Sequence, residues 1–199
     1  MAAAIRNGFP GDFKQVAITR ETDAVLAVSN RKISASGLWA ESAFPSMLTL
    51  KMVKRSYNHF ADPSSILISE SLALSLFGHA DPLNRNIRID NETDLKVIGV
   101  FMDLPSNSRF NGTDFILAWD NKYNAGNRNN DDWLDHHFQV FVQLNDASAF
   151  SSVSAKIKDL TKTHIPGAWE ELMIHPMDRW HLYTNFNLPA RLPMLEMRC

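Results

Sequence analysis

The stretch Ser65-Ile66-Leu67-Ile68-Ser69-Glu70-Ser71-Leu72-Ala73-Leu74-Ser75-Leu76-Phe77-Gly78 decides the fold. Its first four residues form a short apolar run suited to a buried strand. Ser69 stands where a hydroxyl oxygen caps a helix by accepting a bond from one of the N–H groups that the first turn leaves unbonded. Leu72 and Leu76, and Ala73 and Phe77, lie four apart and stack on one side of that helix. Gly78 suits the left-handed residue that ends it, and Asp81-Pro82 opposes an immediate restart. Beyond it Asn86-Ile87-Arg88-Ile89 alternates as a strand, Asp90-Asn91-Glu92-Thr93 is rich in turn formers, and Leu95-Lys96-Val97-Ile98-Gly99-Val100 returns as a second strand. Residues 64–102 thus predict a strand, a helix and a hairpin.

The chain has 199 residues, enough for one domain or two small interlocked ones. Hydrophobic residues make up 45% and charged residues 21%, an ordinary balance for a globular chain that buries its own core. A net charge of -2 gives no electrostatic reason to expect nucleic acid or an anionic membrane surface as a partner. Cys199 is the only cysteine, which excludes an intrachain disulfide and leaves the compartment open. No apolar run reaches the ~18 residues of a membrane span, and Ala2-Ala3-Ala4-Ile5 followed by Arg6 is too short for a signal peptide. A chain of this kind can still be a segment from between two membrane spans.

Taken in order, Met1 to Asn7 has a helical composition, stopped by Gly8-Phe9-Pro10-Gly11. Strands are predicted over Lys14 to Arg20, Val25 to Val28 and Lys32 to Glu41, with Ser29-Asn30-Arg31 as the turn between the last two. Ala43 to Leu50, with Pro45 inside, predicts one helical turn, and Lys51 to Pro63 a loop. Asp103 to Ser108 reads as a loop, Phe115 to Trp119 as a strand, and Asn121 to Asp132 as an exposed loop rich in Asn, Asp and Gly. Phe138, Val140, Val142 and Leu144 alternate with polar or aromatic neighbours in the clearest period of two in the chain. Asn145-Asp146 then caps an amphipathic helix through Ala147, Phe150, Val153, Ile157 and Leu160. Met173 to Met177 predicts a final edge strand ending at Pro176.

Chemistry-bearing patterns are sparse. His136-His137 beside Asp131, Asp132 and Asp135 is the one candidate metal cluster, but adjacent strand residues point to opposite faces and the spacing fits no recurring zinc pattern. His164, His175 and His181 stand in separate segments without a paired nucleophile. There is no Gly-x-Ser-x-Gly elbow and no phosphate-cradling Gly-rich loop. Asn91-Glu92-Thr93 and Asn111-Gly112-Thr113 match the glycosylation sequon, a weak signal. Of five tryptophans, Trp39 and Trp119 sit in apolar strand patterns. Trp133, in the acidic loop with Asp131 and Asp132, is the candidate contact for a ligand or partner. No catalytic, cofactor-binding or metal-binding residue is assigned.

In order and spacing these pieces form a resemblance. Ser69-Glu70-Ser71-Leu72-Ala73, Leu76-Phe77-Gly78, Asp81-Pro82-Leu83, Ile87-Arg88-Ile89-Asp90 and Val97-Ile98-Gly99-Val100 resemble the periplasmic core domain of MacB-type ABC transporter permeases, also called FtsX-like permeases. Upstream, Phe9-Pro10 and Ser42-Ala43-Phe44 to Leu50 are similar to the segments that open the family's pattern. Leu104-Pro105-Ser106-Asn107-Ser108 and His181-Leu182-Tyr183-Thr184-Asn185-Phe186 resemble Bacteroidetes-type members. The likeness covers residues 5–186. It departs at Asn84-Arg85, where the family has Gly-Lys, and around Val53-Lys54-Arg55, where a usual Gly-Arg is missing. Asparagine tolerates a left-handed backbone, so the first departure can keep the turn.

The resemblance implies an α+β fold of two interlocked α/β subdomains. A porter-like one is expected over 1–30 and 104–186, an inserted smaller one over 31–103, and 187–199 as a disordered tail or one foreign to the domain. It further implies a non-catalytic extracytoplasmic domain of an inner-membrane permease, without a cofactor, that couples ATP hydrolysis in the cytoplasm to movement outside the membrane. The partners implied are a cytoplasmic ABC ATPase, a second permease protomer, and cargo or periplasmic proteins, with no nucleic acid. The alternative is a free-standing periplasmic domain that binds a sugar or a peptide.

Overall fold

The structure, a computed structural model, describes residues 1–58, 60–120, 133 and 137–177. Helix α1 covers Ala2–Gly8. Strands β1 (Phe13–Val28) and β2 (Arg31–Ala40) form a long hairpin. A single turn, α2 (Phe44–Met47), begins with Pro45 near its start. Then come β3 (Met52–Lys54), β4 (Ser65–Ser69), α3 (Glu70–Phe77), β5 (Asn86–Ile89), β6 (Thr93–Phe101) and β7 (Phe115–Ala118). Strand β8 (Gln139–Leu144), a 3-10 turn at Ala147–Ala149, α4 (Phe150–Ile157) and α5 (Leu160–His164) follow. The fold is α+β with a mixed sheet.

The central unit matches its sequence reading closely. The Ser69 Oγ accepts from the Leu72 N–H at 3.1 Å, and Gly78 ends α3 with a positive φ of 61°. Ile66, Leu67 and Ile68 are wholly buried, each contributing about 1.5–3 kcal/mol of burial. A strand buried on both faces needs cover on each, which is why it reads as a continuous apolar run. Helix α3 packs on β4, β6 and β2. It also serves as the crossover that parallel strands require, because β4 and β6 pair parallel. The β5–β6 hairpin turns at Asp90 and Asn91, both with positive φ, as a type I′ turn demands. Asn84 has a φ of 59°, so it takes the left-handed role that glycine has in the family pattern.

The chain forms two compact units, one of residues 1–18 and 129–199 and one of residues 19–128. Strand β1 contributes to both. The boundaries read from the sequence, 30/31 and 103/104, fall inside the second unit. There β1 is bound to β2 through ten register pairs, from Thr19–Ala40 to Val28–Arg31, and β7 is seated between β2 and β4.

The strands of the second unit close into a ring. In order they run β2-β7-β4-β6-β5-β1, and β1 returns to β2, with β3 added along β6. Closure leaves a ring strand with neighbours on both sides, which removes the edges that open sheets must protect. The last seam is short: Leu26 pairs with Ile89 and Ala27 with Arg88. It is extended by the Asp90 N–H to the Val25 carbonyl at 2.9 Å and the Val25 N–H to Asp90 Oδ1 at 2.8 Å. Along this half of β1, Ala24 and Leu26 are buried while Glu21, Asp23 and Val25 are exposed. On β2, Ala35 opposite Ala24 is buried and Ser34 and Ser36, opposite Val25 and Asp23, are exposed, while Leu38 opposite Glu21 is buried under the segment that covers it. Gly37 makes room for Phe115, whose ring lies 2.5 Å from where a Cβ on that residue would stand.

In the first unit, β1 and β8 are hydrogen-bonded neighbours. The helix expected from Ala147 to Leu160 is instead a 3-10 turn and two short helices. Asp146 caps the turn by accepting from the Ser148 N–H, and the chain breaks at Lys158–Asp159. The edge strand expected at Met173 to Met177 is absent. The segment runs beside these helices instead, with the Leu172 N–H on the Lys158 carbonyl and Glu171 paired to Lys158 and Lys162. Leu172 and Ile174 are buried there, so the apolar pattern reflects packing and not a ladder. Strand β3 lies where a loop was expected; its three residues carry little periodic signal. The expected loop 121–132 and the tail 187–199 lie outside the described residues.

Replacing Gly37 by Ala is expected to cost about 1–3 kcal/mol, because the Phe115 ring has to move. Gly11→Ala, with open space around it, is expected to stay within about 0.5 kcal/mol. Urea denaturation followed by circular dichroism measures both.

Candidate functional site

The ring positions charged side chains by strand parity. Glu21 and Asp23 are two apart on β1 and share its outer face. Directly opposite on β2 stand Leu38 and Ser36. The Ser36 hydroxyl donates to Asp23 Oδ1 at 2.6 Å. Residues 103–114 form a wall over this face. The Arg109 guanidinium bonds Glu21 Oε1 at 2.9 Å, joining the wall to β1. Between them lies a cleft of about 400 Å³, to which Asn111 and Thr113 also contribute.

The wall is pinned at both ends and in the middle. At its start, Asp103 accepts from the N–H and the hydroxyl of Ser71 in the first turn of α3. At its end the Asp114 N–H donates to the Ser36 carbonyl at 2.8 Å, and the Ser69 N–H donates to the Asp114 carbonyl at 2.7 Å. Between them, Phe110 packs edge-on against Phe44, ring centroids 5.5 Å apart, and is 6% exposed. Turns closed by Asn111 N–H to Ser108 O and Thr113 N–H to Phe110 O shape the tip, where Gly112 has a φ of 81°.

The two terminal carboxylates are tuned in opposite directions. Burial pushes Asp103 up, but the hydrogen bonds from Ser71 and Ser69 more than offset it and hold it below the usual carboxylate value. Burial pushes Asp114 up, the hydrogen bond from the Ser36 backbone opposes it, and the Asp103 charge adds to the rise.

Trp133, singled out in the sequence, is not among the residues that line this cleft. Trp133 is 8% exposed, and its ring stacks on that of His164 with centroids 4.0 Å apart. That leaves one indole face in contact with the chain itself. Asp131, Asp132, Asp135, His136 and His181 lie outside the described residues, while His137 is exposed. Among the described residues no three His, Cys, Asp or Glu side chains converge as they would around a metal ion. Among them, too, no helix is long and apolar enough to cross a membrane. Sequence reading missed Glu21, Asp23 and Arg109. The sequence signal there is Asn111-Gly112, a turn dipeptide two residues from the Arg109 cation.

Similarity to known proteins defines the class. The model of the MacB-like periplasmic core domain matches residues 1–160. The chain therefore belongs to the family of MacB-like periplasmic core domains, extracytoplasmic domains of ABC-type permeases. A domain of a permease protein from Porphyromonas gingivalis shares its fold with a TM-score of 0.67 at 24% identity, over 83% of this chain and 70% of that one. The extracellular domain of the ABC-type transporter YknZ from Gram-positive bacteria gives 0.60 at 16% identity, over 82% and 83%. The periplasmic region of MacB from Actinobacillus actinomycetemcomitans gives 0.60 at 15%, over 81% and 74%. No curated protein matches the chain.

Asp103→Ala is expected to lower stability at pH 7 by about 0.5–1 kcal/mol, the lower range for a lost helix cap because the group is largely solvated. Its folded value is depressed. The contribution is therefore complete above the unfolded value of about 3.9 and disappears as pH falls through the folded one. Urea midpoints of parent and variant should accordingly converge on acidification.

Proposed function

We propose that this domain is a non-catalytic mechanical element of its permease, coupling ATP hydrolysis in a cytoplasmic ATPase to movement outside the membrane. Its architecture is read as two interlocked α/β subdomains, a porter-like unit holding both ends of the chain and an inserted smaller unit. Family membership supports the setting. The observation that carries the mechanical role is β1, sixteen residues of uninterrupted strand that belong to both compact units. A displacement at one end of a continuous strand is carried to its other end, whereas hinge residues would absorb it in φ/ψ changes. The partners on this reading are the ATPase, a second permease protomer, and cargo or periplasmic proteins. Family membership favours it over a free-standing ligand-binding domain.

The test softens β1 at residues 18 and 19, where the division of the chain into two units falls. Ile18→Gly with Thr19→Gly, placed in the parent permease with its ATPase, is expected to reduce transport about tenfold or more while basal ATP hydrolysis persists. A Lys14→Gly, Gln15→Gly pair elsewhere in β1 controls for lost strand stability. Unchanged transport by a variant whose domain melts as a folded protein would overturn the reading. So would hydrolysis of ATP or of a simple ester by the purified chain at enzymatic rates.

A further inference from the structure

The cleft over Glu21 and Asp23 holds chemistry that a purely mechanical role leaves unused. Its volume of about 400 Å³ falls within the range of small-ligand sites. Charges of both signs line it. Arg109 is paired with Glu21, but both are exposed, and such a pair exchanges readily for ligand contacts. Asp23 is held by the Ser36 hydroxyl and, among the described residues, forms no ion pair. Asn111 and Thr113 add neutral groups that both donate and accept.

The apolar side of the cleft narrows the ligand class. Leu38 and Phe110 are 3% and 6% exposed, so little greasy surface is offered. The Phe110 ring is committed edge-on to Phe44, and no open aromatic face remains there for a sugar to stack on. What the cleft does offer is a carboxylate for a cation, a guanidinium for a carboxylate or carbonyl, and mixed donors and acceptors between them. That set matches a peptide.

We infer that the cleft between the β1–β2 hairpin and residues 109–113 binds a peptide segment carrying a basic side chain, its cation on Asp23 and its carbonyl or carboxylate on Arg109. The inference rests on the proposed contact with cargo or partner proteins and gives that contact a place and a chemistry.

The probe is acetyl-Ala-Lys-Glu-Ala-amide, titrated into the 199-residue chain labelled with ¹⁵N. Amide shifts are expected at residues 21–23, 36–38 and 109–113, with affinity falling severalfold as salt rises from about 20 to about 200 mM. Asp23→Asn and, separately, Arg109→Gln are each expected to weaken binding about tenfold, with unchanged urea midpoints. Three results would overturn the inference: no shift at a few millimolar peptide, equal binding of acetyl-Ala-Gln-Gln-Ala-amide, or maltotriose moving the same amides in place of the peptide. Failure here is separable from failure of the coupling role. A chain that binds no peptide, in a permease that the β1 glycine pair still uncouples, loses only the cleft.

Discussion

The return of β1 to both β2 and β5 is the constraint on which the second unit depends. Ten residue pairs hold one side of the strand, while two pairs and a reciprocal bond between Val25 and Asp90 hold the other. Without that short seam β1 and β5 would each present unpaired backbone, an edge open to other chains. Closure also limits the interior. Residues facing inward must share a small space, so Gly37 stands where Phe115 needs room. The type I′ turn at Asp90-Asn91 serves the seam as well as the hairpin, because Asp90 bonds across to β1 through both its backbone and its carboxylate.

The cleft is a consequence of this closure. Once the inner face of β1 is fixed, Glu21 and Asp23 have no position except outside. The wall that covers them owes its place to short-range chemistry at several points. Asp103 collects the first turn of α3, Asp114 ties the far end to β2 and β4, and Phe110 is driven into the core beside Phe44. Each anchor is modest alone. Together they hold Arg109 against Glu21 and keep a solvated concavity next to a packed interior. The same loop sequence that marks the family likeness therefore also builds a concavity lined by opposite charges.

The family likeness was legible because its motifs are local. Ser69 as a cap, Gly78 as a stop and Asp90-Asn91 as a turn each depend on backbone dihedrals of a few residues, and those act the same in any context. Asn84 shows this well: it departs from the family pattern yet keeps the backbone conformation the turn needs. The cleft was not legible. Glu21 and Arg109 are 88 residues apart, and nothing in either neighbourhood announces the other. Conversely, Trp133 was singled out because it stands in an acidic stretch, a compositional clue blind to the His164 ring against which it lies.

By itself the sequence determined the strand–helix–hairpin unit, the strand at β8 and the exclusion of an intrachain disulfide, since each follows from spacing or inventory. Tertiary structure alone decided that two expected strands are one continuous β1, that 170–177 packs without joining a sheet, and that six strands close. Those outcomes turn on long-range pairing. Whether a polar residue such as Thr22 or Arg20 interrupts a strand depends on what the neighbouring strand can hydrogen-bond and cover, and that neighbour is chosen only once the chain has folded.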